Sequence, residues 1–264
     1  RQMCIRDRFK GLNYGIDFKG GTLIELRSNN TEASSIRDVL KNMDLGDVNV
    51  KKFGKEGDFL IKVEEKGDNN KLIPEIKKNL SDNLNSDVNF RRVENVGPKV
   101  SAELLQSGII AISLSLAAML FYIWVRFEWQ FSIGSIIALF HDAIITLGIF
   151  SLLALEINLS IIAAVLTIVG YSMNDTVVIY DRIRENLGIK AGSEIIPVVN
   201  ESINKTISRT LITSMTTFIV VLVLFLFGGP SLSGFSFALL IGIIVGTYSS
   251  IFVATPVFVD LFKK

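Results

Sequence analysis

Five stretches of this chain, 104–125, 131–155, 159–180, 210–227 and 235–258, are apolar almost without interruption. Each comes close to or exceeds the roughly 20 residues that a helix needs to cross the hydrocarbon core of a bilayer. A buried core helix keeps one polar face, and these runs have almost none. They predict five membrane-spanning helices, and that expectation limits everything else the chain can be. The mean hydropathy of +0.45 agrees with it. Charge is segregated: residues 1–100 hold 19 of the 27 Lys and Arg and 16 of the 26 Asp and Glu. The chain therefore reads as one soluble domain, 9–95, followed by one membrane domain, 96–264.

The soluble part carries strand and helix patterns in alternation. TLIELR at 22–27 alternates as a strand. Ile36, Val39, Leu40 and Met43 fall on one helical face. Residues 48–53 and 59–65 read as two short strands joined through Gly54 and Gly57. Leu72, Ile73, Ile76, Leu80 and Leu84 share a second helical face, and 88–93 is a last strand. The order β-α-β-β-α-β predicts a small α+β domain of the split, ferredoxin-like type. The glycines of GIDFKGG, residues 15–21, precede a strand rather than opening a helix, which favours tight turns over a phosphate site. Residues 1–8, RQMCIRDR, fit neither a signal peptide nor a span and are expected to be a non-native or fragment end.

Orientation follows from the short loops. Arg126 follows the first run; Arg182, Arg184, Lys190 and Lys205 lie between the third and fourth; Lys263 and Lys264 follow the fifth. The connections near 156–158 and 228–233 contain no Lys or Arg. Positive residues stay on the cytoplasmic side, so the 9–95 domain is expected outside. Carrying it there requires a preceding span, which makes six expected in the intact protein.

Ionisable groups inside these runs cost about 2.5–3.5 kcal/mol each at the centre of a helix on insertion scales, so they call for a partner and a role. His141 and Asp142 sit in the second run, with Asp142 roughly 16 Å from its cytoplasmic end at 1.5 Å per residue. Ser135, Asp142 and Thr146 share a face. In the third run Thr167, Tyr171, Asn174, Asp175 and Val178 share one, and Asp175 lies about 10 Å inside Arg182. In the fourth, Arg209, Thr213, Thr216 and Thr217 do. These three faces are expected to meet, bringing Asp175 to Arg209. The functional reading is a proton or ion path through Asp175, Arg209, Asp142 and Asn174, because desolvation and a nearby cation act oppositely on a buried acid and can leave it able to titrate. The structural reading is a cluster that fixes helix packing. Adjacent residues point to different helix faces, so His141 and Asp142 are not expected to share a metal. Gly242, Gly246 and Ser250 form a stripe of small residues suited to a helix contact, either within the chain or with a partner subunit.

Other chemistry finds little support. There is no GxxxxGK[ST] loop. The single histidine lies in a span, which leaves no Ser-His-Asp site outside. A net charge of +1 gives no argument for nucleic acid, and Cys4, the only cysteine, forms no intrachain disulfide. No enzyme activity, cofactor or metal is expected.

GIDFKGG at 15–21, VGPKV at 96–100, His141-Asp142, SMNDTVVIYDRIREN at 172–186 and SRT at 208–210 together resemble the SecF family of protein-export membrane subunits. The resemblance covers residues 9 to about 260. It implies membership of the resistance-nodulation-division superfamily and use of the proton-motive force. It also implies a SecD partner, a SecYEG-type translocation channel and an exported polypeptide as partners, and residence in the bacterial cytoplasmic membrane. Asp175 matches the acid of the NDT segment and Arg209 the arginine of the SRT segment, both held in the family to take part in proton transport; a further acid belongs to the SecD half. Two other classes stay open: half of a proton-driven small-molecule efflux transporter, and a structural scaffold subunit. The efflux reading needs a concave apolar vestibule of several hundred Å³, for which about 90 external residues are few.

Overall fold

The computed structural model describes residues 13–28, 31–41, 43, 48–52, 57–63, 69–83, 88–190 and 194–262. Residues 1–8, Lys263, Lys264 and the outer ends of the two middle strands, 53 and 64–65, lie outside them. The chain divides into two compact units, one made of Tyr14–Ile109 and the other containing Ile110–Lys264.

In the first unit a helical turn α1 (Ile16–Lys19) precedes β1 (Gly21–Ser28), α2 (Ala33–Lys41), β2 (Val48–Lys52), β3 (Asp58–Val63), α3 (Asn69–Asn83) and β4 (Val88–Val96). The strands form one antiparallel sheet in the order β2-β3-β1-β4, the split arrangement predicted for β-α-β-β-α-β. Register places Ile24 opposite Ile61 and Leu26 opposite Phe59 on β1 and β3, with Val50 of β2 opposite Ile61. The period of two then turns these side chains to one face. There they join Ile36 and Leu40 of α2 and Ile76 and Leu80 of α3 in a single buried cluster. The GIDFKGG segment forms one helical turn before the strand. Gly20 (φ 78°) and Gly21 (φ 129°) supply the positive φ angles that return the chain to the strand, which accounts for both glycines. Opposite Glu25 and Leu26 the β4 strand bulges at Arg91, which lies 3.6 Å from Asp58; Arg27 meets the same carboxylate in two bonds of 2.6 and 2.9 Å.

The second unit is helical. Among the described residues five helices are long and apolar enough to cross a membrane: α4 (Pro98–Arg126), α5 (Trp129–Leu152), α6 (Leu159–Ile189), α7 (Ile195–Phe227) and α8 (Pro230–Ser249), the last continuing through a π-helical segment, Ser250–Ala254, into α9 (Thr255–Phe262). α4 packs through Ile123, while Leu114, Phe121 and Val125 lie exposed. Water does not tolerate so much contiguous apolar surface, so this face belongs in lipid or against another helix.

Two helices run past the apolar stretches that mark them in the sequence. α6 continues nine residues beyond Tyr180, and α7 begins fifteen residues before Thr210. Arg182, Arg184 and Lys205, expected in a loop, are therefore helical. The extensions pair with each other: Ile183, Ile195, Val198 and Val199 are buried, and Asn186 donates to Ser202 at 2.6 Å. Ion pairs lace the outer faces, with Arg182 to Glu185 at 2.5 Å, Lys205 to Glu201 at 2.7 Å, and Lys190 also to Glu201. An antiparallel helix pair satisfies its own backbone and needs no bilayer to persist, so hydropathy alone ends it too early.

Between α5 and α6, Leu155 N–H donates to Phe150 O at 2.9 Å around Ala154, whose φ is 51°. This is a helix C-terminal turn of the kind glycine usually occupies. A Cβ in the left-handed region costs about 1–2 kcal/mol. Ala154→Gly is expected to stabilise the protein by about 1 kcal/mol and to raise its thermal midpoint in detergent by about 3 °C; an unchanged or lower midpoint would show that the turn is not strained.

Candidate functional site

The close approach of α6 and α8 builds the site. A Cβ on Gly242 would overlap the Ile168 side chain, and one on Gly246 would lie 3.0 Å from Ser172 Cβ. The stripe of small residues is thus an internal contact of this chain. It lets the α8 backbone come near enough for short hydroxyl side chains to bridge.

Asp142 of α5 is fully buried at that junction. Its Oδ2 accepts from Ser172 Oγ of α6 at 2.6 Å and from Ser249 Oγ of α8 at 2.8 Å. Its Oδ1 lies 3.0 Å from Nδ1 of His141, whose ring is partly exposed and near Tyr248. The two neighbours thus bond side chain to side chain, although adjacent residues leave the helix at different angles; the imidazole is long enough to swing back. One turn further on, Thr176 Oγ1 donates to Ser250 Oγ at 3.0 Å, and Ser250 Oγ also lies 3.3 Å from Ser172 O.

Asp175 of α6 is 3% exposed. Among the described residues a single hydroxyl, Ser214 Oγ of α7, reaches its Oδ2, at the long distance of 3.4 Å; Ser214 is also 2.8 Å from Thr247 of α8. Asp142 and Asp175 therefore occupy unlike settings, one held by three side chains and the other by one long contact.

The expected meeting of Asp175 with Arg209 takes a looser form. Among the described residues no ion pair joins them, although Arg209 is near enough to act on Asp175 electrostatically. Arg209 is exposed and lines an open cavity with Val178 and Asp181 of α6. The buried face of α7 runs through Thr206, Thr210, Ser214 and Val221, not through Arg209, Thr213 and Thr216 as read from the sequence. Thr213, Thr216 and Thr217 spend their hydroxyls on carbonyls of their own helix, at 2.9–3.1 Å. Asn174 is exposed, as is Thr167, so part of the polar face expected on α6 points outward, while Asp175 and the Tyr171 hydroxyl turn in. The contact of Ile168 and Ser172 with the α8 glycines sets this rotation, and periodicity within α6 carries no trace of it. Ser172, Ser214, Thr247 and Ser249 escaped the sequence reading for a related reason: a hydroxyl in an apolar helix most often bonds its own backbone, so its presence carries little information.

Aromatic packing closes one end of the bundle. Phe131 stacks on Phe258 at 4.0 Å between ring centres and meets Tyr180 edge-on at 4.9 Å. The π-helical turn loosens the regular backbone pairing near Ala254, whose carbonyl takes the Tyr180 hydroxyl at 3.0 Å, while Thr255 Oγ1 donates to Ser250 O at 2.9 Å.

Removing one donor from a fully buried carboxylate costs about 1–3 kcal/mol. Ser249→Ala is expected to lower thermal stability in detergent by that amount. Ser236→Ala, which removes a buried hydroxyl donating to Leu232 O of its own helix, should cost less than about 0.5 kcal/mol. Equal losses would mean that the Asp142 contact carries no stability.

Comparison with known proteins gives a consistent picture. Residues 76–264 match the model for "Protein export membrane protein SecD/SecF, C-terminal", and residues 9–32 match the "SecD/SecF GG Motif". A protein translocase subunit SecF of Desulfurispirillum indicum is 47% identical over 254 residues, covering 93% of this chain and 81% of that one. A second, from Rickettsia bellii, is 47% identical over 93% of this chain and 82% of its own. The crystal structure of SecDF, a translocon-associated membrane protein from Thermus thermophilus, superposes with a TM-score of 0.86 at 38% identity, covering 96% of this chain but 35% of that longer one. A heavy metal efflux pump, at 10% identity and a TM-score of 0.51, shares the fold alone. With five spanning helices, a split α+β unit and these matches along nearly its whole length, the chain belongs to the SecD/SecF family of protein-export membrane proteins.

Proposed function

We propose that this chain is a SecF-type auxiliary subunit of bacterial protein export, working with a SecD-like partner beside a SecYEG-type channel. It couples inward proton movement across the cytoplasmic membrane to the forward movement of an emerging polypeptide. Family membership supports the export role. The observation that carries the coupling is the contrast between the two buried acids. Asp142, held by His141, Ser172 and Ser249, acts as a fixed anchor of the path. Asp175, with one hydroxyl at 3.4 Å, is free to exchange both proton and partner. Arg209 supplies the opposing charge from the cavity side, and Asn174, on the outer face of α6, is placed to meet a partner helix. Each charge crossing releases about 2.3 kcal/mol per 100 mV, enough over a few crossings to drive a conformational step.

The cationic ends of α4, α6 and α7 support an orientation in which the Tyr14–Val96 region lies on the periplasmic side. In a full-length protein with Cys4 replaced, Asp82→Cys should react with an impermeant thiol reagent added to spheroplasts, and Glu194→Cys should not. Labelling of Glu194→Cys from outside would reverse the topology.

Asp175→Asn keeps shape and hydrogen-bonding capacity but removes the titrating proton. It is expected to assemble normally and to lose the gradient-dependent component of export, measured as export rate per assembled complex with and without a proton gradient. Arg209→Lys should also be impaired, because a compact ammonium does not reproduce the planar fork. Normal gradient-dependent export by Asp175→Asn removes Asp175 from the proton path.

A further inference from the structure

Where α4 ends beside α6 and α7, the helices leave a cavity of about 800 Å³. Four arginines line it, Arg126, Arg182, Arg184 and Arg209, against two acids, Asp181 and Glu185. Arg126 bonds Asp181 at 2.8 Å, Arg182 bonds Glu185 at 2.5 Å, and Arg184 Nη1 donates to Arg126 O at 3.2 Å. Among the described residues the Arg209 guanidinium has no hydrogen bond or ion pair. The lining thus keeps two positive charges beyond its own acids, and its ion pairs hold the donors in place instead of neutralising the cavity. A guanidinium fork at such a site suits a phosphate oxygen pair.

The depth of the cavity indicates what reaches it. Both tryptophans of the chain, Trp124 and Trp129, flank Arg126 and are 65% and 54% exposed. Exposed tryptophans on spanning helices mark the headgroup level of a bilayer. Basic pockets between spanning helices at that level on the cytoplasmic side are suited to anionic lipid headgroups, and the volume lies within the range of small-ligand sites. We propose that this cavity binds a phosphate-bearing anion, with the phosphodiester headgroup of an anionic phospholipid as the source within reach. Its acyl chains would lie along the exposed apolar face of α4, where Phe121 and Val125 are open. The bound headgroup bridges α4 to the long α6–α7 pair and gives Arg209 a counter-charge from outside the protein. The site rests on the orientation proposed above but not on proton coupling.

The test is a thermal-melting titration of the full-length protein, purified in detergent with the subunits that accompany it. Three probes are compared: phosphatidylglycerol, phosphatidylcholine and inorganic phosphate. Phosphatidylglycerol is expected to raise the melting temperature with saturation, and phosphatidylcholine is not. Arg126→Gln combined with Arg184→Gln should weaken the apparent affinity about thirtyfold, from about 1 kcal/mol for each arginine. Arg126→Lys with Arg184→Lys should retain part of the effect, which separates lost charge from lost folding. Asp175→Asn should leave the lipid effect intact, so a failed proton path does not count against this site. An equal shift by inorganic phosphate, lost in the double glutamine variant, supports the anion site with free phosphate as its source. An equal shift by both lipids overturns the proposal. So does an unchanged shift in the double glutamine variant, or a lipid effect seen only after the accompanying subunits are stripped away, since the cavity would then be a protein contact.

Discussion

A carboxylate sealed among apolar helices is the constraint to which the rest of the membrane unit answers. Asp142 is fully buried, and a polar group taken out of water is costly unless it is hydrogen-bonded. The protein meets that cost with hydroxyls from two other helices, Ser172 and Ser249, and with the neighbouring imidazole. Those hydroxyls are short, so they reach only if the backbones nearly touch. Gly242 and Gly246 make that possible by leaving room for Ile168 and Ser172. The acid, the small residues and the helix contact are therefore one device, and a change in any of them loosens the other two. The same contact sets the rotation of α6, and so decides that Asp175 faces inward while Asn174 does not.

Rigidity is distributed unevenly around this device. At one end Phe131, Tyr180 and Phe258 lock α5, α6 and α9 together, and the π-helical turn leaves the Ala254 carbonyl to the Tyr180 hydroxyl. Gly134 sits beneath that hydroxyl, where a Cβ would lie 2.5 Å from it. On the α7 side the packing is lighter: among the described residues Asp175 has one long contact, Ser214 shares its hydroxyl with Thr247, and Thr210 Oγ1 is buried without a partner. Partly satisfied polar groups in a low-dielectric interior favour rearrangement, whereas fully satisfied ones resist it. The proton coupling proposed above would use both kinds, and here they lie one helix apart.

How much of this was legible beforehand depends on the range of the interaction. The split sheet could be read because Ile24, Leu26, Phe59 and Ile61 alternate locally, and strand order then follows from burying one face under α2 and α3. The burial of Asp142 and Asp175 could be read because an acid inside an apolar run has no other place. The ends of α6 and α7 could not, because 181–189 and 195–209 mix charged with apolar residues and their helicity comes from pairing with each other. The partners of the two acids could not either, since Ser172, Ser214 and Ser249 look like any hydroxyl that bonds its own helix.

The sequence by itself determined the five runs long enough to span a membrane, the class of the soluble unit and, through the NDT and SRT segments, the family. Those properties depend on hydropathy, charge and short motifs, which are local. Only the tertiary structure decided which face of each helix turns inward. It separated Asp175 from a direct pair with Arg209, placed Asn174 on the outer face, and opened an arginine-lined cavity where a loop had been expected. The reason is geometric. Helix rotation is set by how close two backbones can come, and that distance depends on pairs of residues, such as Gly246 and Ser172, that lie far apart along the chain.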